Sequence, residues 1–99
     1  MPVRHDAAAH RFVAPTDEGG EAYLAYEQSR GALDIQHTIV PTAAQGDGLG
    51  ASLVAAAVDY ARAHQLKVVP SCPFADAWFE KHPDARDVLA SAGEADARE

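Results

Sequence analysis

The sequence predicts an α/β fold of the α+β kind: a mixed sheet, antiparallel then parallel, with one long central helix and short C-terminal helices. Three observations predict it. Residues 32–40 alternate, with Leu33, Ile35, His37 and Ile39 on one side and Asp34, Gln36, Thr38 and Val40 on the other, the pattern of a half-buried strand. Leu49, Leu53, Val54, Ala57, Val58 and Ala61 then recur at helical spacing to about residue 64. Val68-Val69 follows as a short apolar run, which a strand–helix–strand crossover sets parallel to the strand at 32–40.

In chain order, residues 1–9 read as a flexible arm, because Ala7-Ala8-Ala9 carries no partner pattern. His10 to Ala14 forms a first strand stopped by Pro15, and Thr16 to Gly20 is turn chemistry. Glu21 to Gln28 alternates, Tyr23 and Ala25 against Ala22, Leu24 and Tyr26, and so forms a strand. Ser29-Arg30-Gly31 turns it into the strand at 32–40, and the strand at 10–14 completes a meander. The helix from Leu49 spans on the order of 24 Å, enough to cover one face of a small sheet. Gln65-Leu66-Lys67 returns the chain and Pro70 ends the short strand. Pro73 suits the first turn of a helix carrying Phe74, Ala77, Trp78 and Lys81, which His82-Pro83 breaks. Asp84 caps a last short helix holding Val88 and Leu89, and the small, charged residues 91–99 are expected to be flexible.

A chain of 99 residues makes one domain, and a 47% apolar composition suits a folded globule. Much of that fraction is alanine, so the core is thin, and a monomer or weak homodimer is expected. The net charge of −7 and the lack of a basic run argue against nucleic acid and suit a cationic substrate such as an amine. The single cysteine, Cys72, leaves no intramolecular disulfide and fits a reducing compartment. The first residues lack the apolar core of a secretory signal, and no stretch is long enough to cross a membrane, so a cytoplasmic protein is expected.

The stretch organising the chain runs from Thr38 through Pro41 to Gln45-Gly46-Asp47-Gly48-Leu49-Gly50. A strand ends, a short loop follows, and glycines open the long helix. Glycine permits positive φ and close backbone approach, and the first turn of a helix offers unpaired N–H groups at the positive end of its dipole. Together these make an anion site, with phosphate the usual anion.

With these residues in place, the chain resembles the GNAT superfamily of acetyl-CoA-dependent N-acetyltransferases, and within it the small YjdJ-type branch. His37-Thr38-Ile39-Val40-Pro41 with Gln45-Gly46-Asp47-Gly48-Leu49-Gly50 is similar to the superfamily's pyrophosphate loop. Val68-Val69-Pro70-Ser71-Cys72-Pro73-Phe74 with Lys81-His82-Pro83 is similar to the branch's own signature. The resemblance implies a minimal GNAT-like sheet, splayed between the strands at 32–40 and 67–70, with coenzyme A in the gap. It also implies that backbone N–H groups of Gln45, Gly46, Asp47, Gly48, Leu49 and Gly50 hold the pyrophosphate, while the main chain of Ile39 and Val40 pairs with the pantetheine arm.

The chain departs from the pattern at Gln45, where Arg is common, and at Ala85, where the branch often has an aromatic. It departs also at Gly50, where Ala is frequent; glycine there is expected to loosen the helix start by up to ~1 kcal/mol. It is too short for the two early helices and last two strands of a full GNAT enzyme, which build much of the acceptor site. The implied activity is transfer of acetyl from acetyl-CoA to an unidentified amine acceptor, a protein or peptide among the candidates. Two alternatives stand beside it: a non-catalytic acyl-CoA-binding or regulatory module, and an interaction domain that keeps the fold without the ligand.

Cys72 and His37 are the catalytic candidates. Cys72 follows a buried strand and precedes a helix start, where a thiolate is stabilised. Moving an acyl group from one thioester to another is nearly balanced in energy, so an acyl-cysteine intermediate is sensible. The resemblance implies that this thiol faces the cofactor; the bland alternative is a small packed thiol. His37 can serve as a general base if its imidazole reaches the cleft, or can be a hydrogen-bonded histidine in the core face of its strand. His82 is expected to fix a helix end, and His5, His10 and His64 to lie on the surface. No metal is expected, since no grouping has ligand spacing. Asp47 is expected to face solvent with its N–H inward. Phe74, Trp78 and Phe79 read as core or dimer surface first, and as pocket wall second. Arg86, Asp87, Glu94, Asp96 and Glu99 read as a solvated face, and Arg62, Lys67 and Lys81 remain equal candidates for the 3′-phosphate of CoA.

Overall fold

The structure, a computed structural model, describes residues 3–16, 20–46 and 48–90. Asp47, part of the turn before Gly20 and the 91–99 tail lie outside the described residues.

Five strands pair in sequence order: β1 (Arg4–Asp6), β2 (Arg11–Pro15), β3 (Glu21–Ser29), β4 (Ala32–Ile39) and β5 (Lys67–Pro70). The first three pairings are antiparallel and β4–β5 is parallel, as the crossover through helix α1 (Leu49–Ala63) requires. Helix α2 (Pro73–Lys81) and 3₁₀ turns at Thr42–Ala44 and Pro83–Val88 complete the order. No helix among the described residues is long and apolar enough to cross a membrane.

The core lies between sheet and helices. Phe12 and Ala14, Ala22, Leu24 and Tyr26, and Leu33 and Ile35 meet Leu49, Leu53, Val54, Ala57, Val58 and Ala61 of α1. Among the described residues the largest fully buried side chains are Leu24, Leu33, Ile35, Leu53, Val54 and Val68, with Phe12, Tyr26, Leu49 and Phe79 buried nearly as well. Alanines at 14, 22, 57, 61 and 75 fill the space between these side chains.

The expected N-terminal arm is corrected at Arg4–Asp6, which pairs with β2 as an edge strand. Local sequence gives no sign of it because its anchor is distant. His5, expected at the surface, is half-buried, stacks on Phe12 at 4.3 Å, meets the Tyr60 ring at 4.6 Å and hydrogen-bonds the Tyr26 hydroxyl. Burial lowers its pKa below 6.5; Asp6 opposes this and His64 adds to it. The folded protein thus binds fewer protons than the unfolded chain in the window just below pH 6.5. Stability is expected to be full above that pH and to fall as His5 is protonated. Thermal melts across pH 5 to 8 should show this slope, and His5→Phe should flatten it.

Strand β4 holds the main departure from simple alternation. Ala25 faces His37 while Tyr26 faces Ile35, so Gln36 is one residue too many. This β-bulge reverses which residues point inward. Leu33 and Ile35 are fully buried, but beyond the bulge Thr38 opposes the buried Leu24, while His37 and Ile39 are exposed. The expectation of one face shared by Leu33, Ile35, His37 and Ile39 is corrected accordingly.

Helix α2 buries Ala75 and Phe79, with Trp78 packed beside them, and leaves Phe74 and Ala77 outward. His82 ends it as expected, donating Nδ1–H to the Trp78 carbonyl at 2.8 Å and stacking on the Trp78 ring. No side chain caps the last turn, whose cap residue is His82 rather than Asp84. Leu89 then bridges to Val68 beside β5. Asp87 is paired rather than simply solvated: Arg62 grips its carboxylate through two hydrogen bonds of 2.8 and 3.2 Å, and Lys67 donates to its carbonyl. The Arg62 hydrogen bond holds the Asp87 carboxyl below its ordinary range.

Candidate functional site

Pairing of β4 with β5 runs from Ala32–Lys67 to Ile35–Pro70 and stops there. Pro70 brings no N–H to continue a ladder, and the extra Gln36 bends β4 at the same level. Two links close the apex: Ser71 Oγ donates to Asp34 Oδ1 at 2.6 Å, and the Cys72 amide donates to the Ile35 carbonyl at 3.0 Å. Past them, β4 has no strand partner on this side among the described residues, and Cys72 stands where the pairing ends.

A cleft of about 600 Å³ lies along this opening and the start of α1. Six of the residues expected to hold a cofactor line it: Val40, Gln45, Gly46, Gly48, Leu49 and Gly50. Ile39 does not; the bulge turns its side chain away, though its main chain is in the free part of β4. Asp47 lies outside the described residues.

The loop shape follows from its glycines. Gly46 has φ 96° and Gly48 φ 80°, and an added Cβ at either would meet nothing within 4 Å. The angle, not space, requires glycine there. Gln45 Nε2 donates to the Val40 carbonyl at 3.2 Å and braces the loop against the end of β4. Gly48 caps α1 in the left-handed region, and no side chain occupies the cap. Ser52 donates to Gly48, and among the described residues the amides of Leu49, Gly50 and Ala51 meet no backbone acceptor, as the first turn of a helix dictates. No acidic residue stands in this first turn. The donor set fits an anion such as a diphosphate.

Gly50 has a different cause. A Cβ there would lie 2.6 Å from Cζ of Phe74, because that ring rests directly on the helix. Glycine costs helix propensity of up to about 1 kcal/mol, and here it makes room for the aromatic.

Cys72 is 6% exposed and stands at the cap of α2. Burial pushes its thiol up, yet the amides of Ala75 and Phe74 turned toward the sulfur, together with Thr38, outweigh this and hold it below its ordinary value. Its Sγ lies 3.7 Å from Thr38 Oγ1, and Thr38 lines the cleft. Thr38→Val is expected to raise the thiol pKa; thiolate absorbance followed against pH would show it, and an unmoved titration would remove Thr38 from that role.

His37 does not join this group. It pairs with Ala25 on the face turned away from the cleft and is exposed, which also excludes the core-histidine alternative. The sequence reading missed Thr38, Ala44 and Ala51 and placed Phe74 as wall only in second rank; all four line the cleft. Thr38 was hidden by the bulge, for which Gln36 gives no local signal. Arg62 and Lys67 are engaged with Asp87 at the C-terminal end of α1, away from the loop. Among the described residues, no group of three His, Cys, Asp or Glu converges as a metal site.

A solution NMR structure of a GCN5-like candidate N-acetyltransferase from Staphylococcus aureus is similar to this chain. The two share 26% identity and a TM-score of 0.67 over 89% of this chain and 86% of that one. The profile of the GCN5-related N-acetyltransferases matches residues 11–88, from the start of β2 through the cleft and α2 to the last 3₁₀ turn. On that match the chain belongs to the GCN5-related N-acetyltransferase family.

Proposed function

We propose that the cleft binds acetyl-CoA and that the protein transfers the acetyl group to an amine by way of Cys72. The observation that carries this reading is that one cleft is bordered by the amides of Leu49, Gly50 and Ala51 and by the edge of β4, neither of which has a backbone partner there among the described residues. The amides suit a diphosphate, and the edge at Ile39 and Val40 suits an extended, amide-bearing arm, added as another strand would be. Acetyl-CoA is a substrate here, supplying an activated thioester.

The Cys72 thiolate bonds to the acetyl carbon as the carbon–sulfur bond to CoA breaks, and the CoA thiolate leaves with that electron pair. The amine then takes the acetyl group from Sγ, the thiolate is restored, and the surplus amine proton passes to water. The short path from Thr38 in the cleft to Sγ supports this route, as does the lowered thiol pKa. A working thiol suits the reducing cytoplasm, and a protein or peptide amine suits a site whose acceptor side is open.

A second reading, a binding or regulatory module without turnover, is favoured by one observation: no described residue lining the cleft is an acid or a base, and His37 faces away. Calorimetry with CoA and acetyl-CoA is expected to give saturable heat. Neither heat nor thermal protection at millimolar ligand would end both readings. An acetylated Cys72 by mass spectrometry, with thiol release on adding amine, separates the first from the second.

A further inference from the structure

We infer that Phe74 is a donor-binding residue whose ring packs against the geminal dimethyl group of the pantoyl unit, the first apolar part of the coenzyme A arm beyond the diphosphate. The inference rests on the reading that the cleft takes an acyl-CoA.

Phe74 is 45% exposed and stands outside the core cluster, while Ala75 and Phe79 are the buried anchors of α2. Folding does not require an aromatic there. Its place is fixed all the same. The ring lines the cleft, and three of its atoms lie 2.6–3.2 Å from the position a Cβ of Gly50 would take. It therefore rests on the turn of α1 whose amides suit a diphosphate, and Gly50 admits it by having no side chain.

Which neighbour of the diphosphate the ring meets follows from where α2 begins. CoA carries adenosine on one side of the diphosphate and the pantetheine arm on the other. In the proposed pose the arm runs along the β4 edge. The start of α2 is tied to that same strand: the Cys72 amide bonds the Ile35 carbonyl, and Cys72 Sγ lies 3.7 Å from Thr38 Oγ1. Phe74, in the first turn of α2, thus reaches the diphosphate turn from the β4 side, with Val40 and Leu49 lining the same cleft. An arm passing from the start of α1 to β4 brings first a quaternary carbon with its two methyls. Those methyls gain by leaving water against an aromatic wall; the flanking diphosphate and amides do not.

The test is NMR titration of the backbone amide signals with CoA, 4′-phosphopantetheine and ADP, in wild type, Phe74→Leu, Phe74→Ala and Gly50→Ala. Phe74→Ala is expected to weaken CoA and 4′-phosphopantetheine by about 10-fold and to leave ADP unchanged, with Phe74→Leu between. Gly50→Ala keeps the aromatic but pushes its ring off the helix, and should reproduce the selective loss. Circular dichroism checks the fold, and Phe74→Leu decides alone if the Ala variant does not fold. Undiminished binding of 4′-phosphopantetheine in the folded variants, or no binding of it by a wild type that binds CoA, overturns the inference. A loss confined to CoA and ADP also overturns it, because it puts the ring on adenosine. Failure of wild type to bind CoA is a separate outcome: it refutes the donor site, and the role of Phe74 falls with it.

Discussion

Replacing Cys72 with alanine is expected to lower acyl transfer by about 10³-fold or more while the calorimetric signal of acetyl-CoA persists. The two readouts part because the groups proposed to hold the donor, the amides of Leu49 to Ala51 and the edge of β4, are backbone and do not involve the thiol. The thiol stands at the apex, where the Cys72 amide still bonds the Ile35 carbonyl whatever the side chain. Losing one small buried sulfur should cost little stability. The wild-type rate should also rise with pH along a limb set by the Cys72 thiol, lying below the ordinary thiol range because the Ala75 and Phe74 amides and Thr38 outweigh burial. Turnover undiminished in Cys72→Ala would remove the acyl-cysteine route and leave direct attack by the amine.

Leu24→Ala is expected to be among the most damaging of the single core truncations, at about 2–5 kcal/mol. Leu24 is completely buried, with Leu33, Ile35, Leu53, Val54 and Val68 the other large side chains so enclosed among the described residues. Its neighbours include alanines, which have no freedom to swing into the hole. Domains of this size are stable by about 5–15 kcal/mol, so much of the margin would go. Each kcal/mol corresponds to about 4–8 °C of melting temperature in a domain of this length, which predicts a fall of more than about 10 °C. Because Leu24 lies opposite Thr38, the wall beside Cys72 should loosen too, and thiol reactivity should rise along with the melting change. A denaturation shift below about 1 kcal/mol would show that the core repacks more freely than its composition implies.

Most of the frame was legible because it rests on local rules. The helix from Leu49, the turn at Arg30 and Gly31, the strand after Leu66 and the break at His82-Pro83 each follow from period, glycine or proline. The glycine turn before α1 was legible for the same reason, since positive φ at Gly46 and Gly48 is a property of single residues. What escaped depends on contacts distant in sequence. The strand at Arg4–Asp6 exists because His5 finds Phe12, Tyr26 and Tyr60. The placement of Phe74 depends on Gly50, 24 positions earlier, whose glycine read as a weakness of the helix and proves to be room for a ring. The bulge is the hardest case. Alternation through residues 32–40 is unbroken in the sequence, and only pairing with β3 reveals that Gln36 has no counterpart.

That unmatched glutamine has an evolutionary consequence. Removing its codon would leave Leu33, Ile35, Thr38 and Val40 on the side they already occupy, since a regular ladder without position 36 points each of them the same way. The hydrophobic interior would survive the deletion, while β4 would lose the bend that follows Ile35. Length variation at this position, rather than substitution around it, is the place to look when a related chain keeps this architecture and has lost its chemistry.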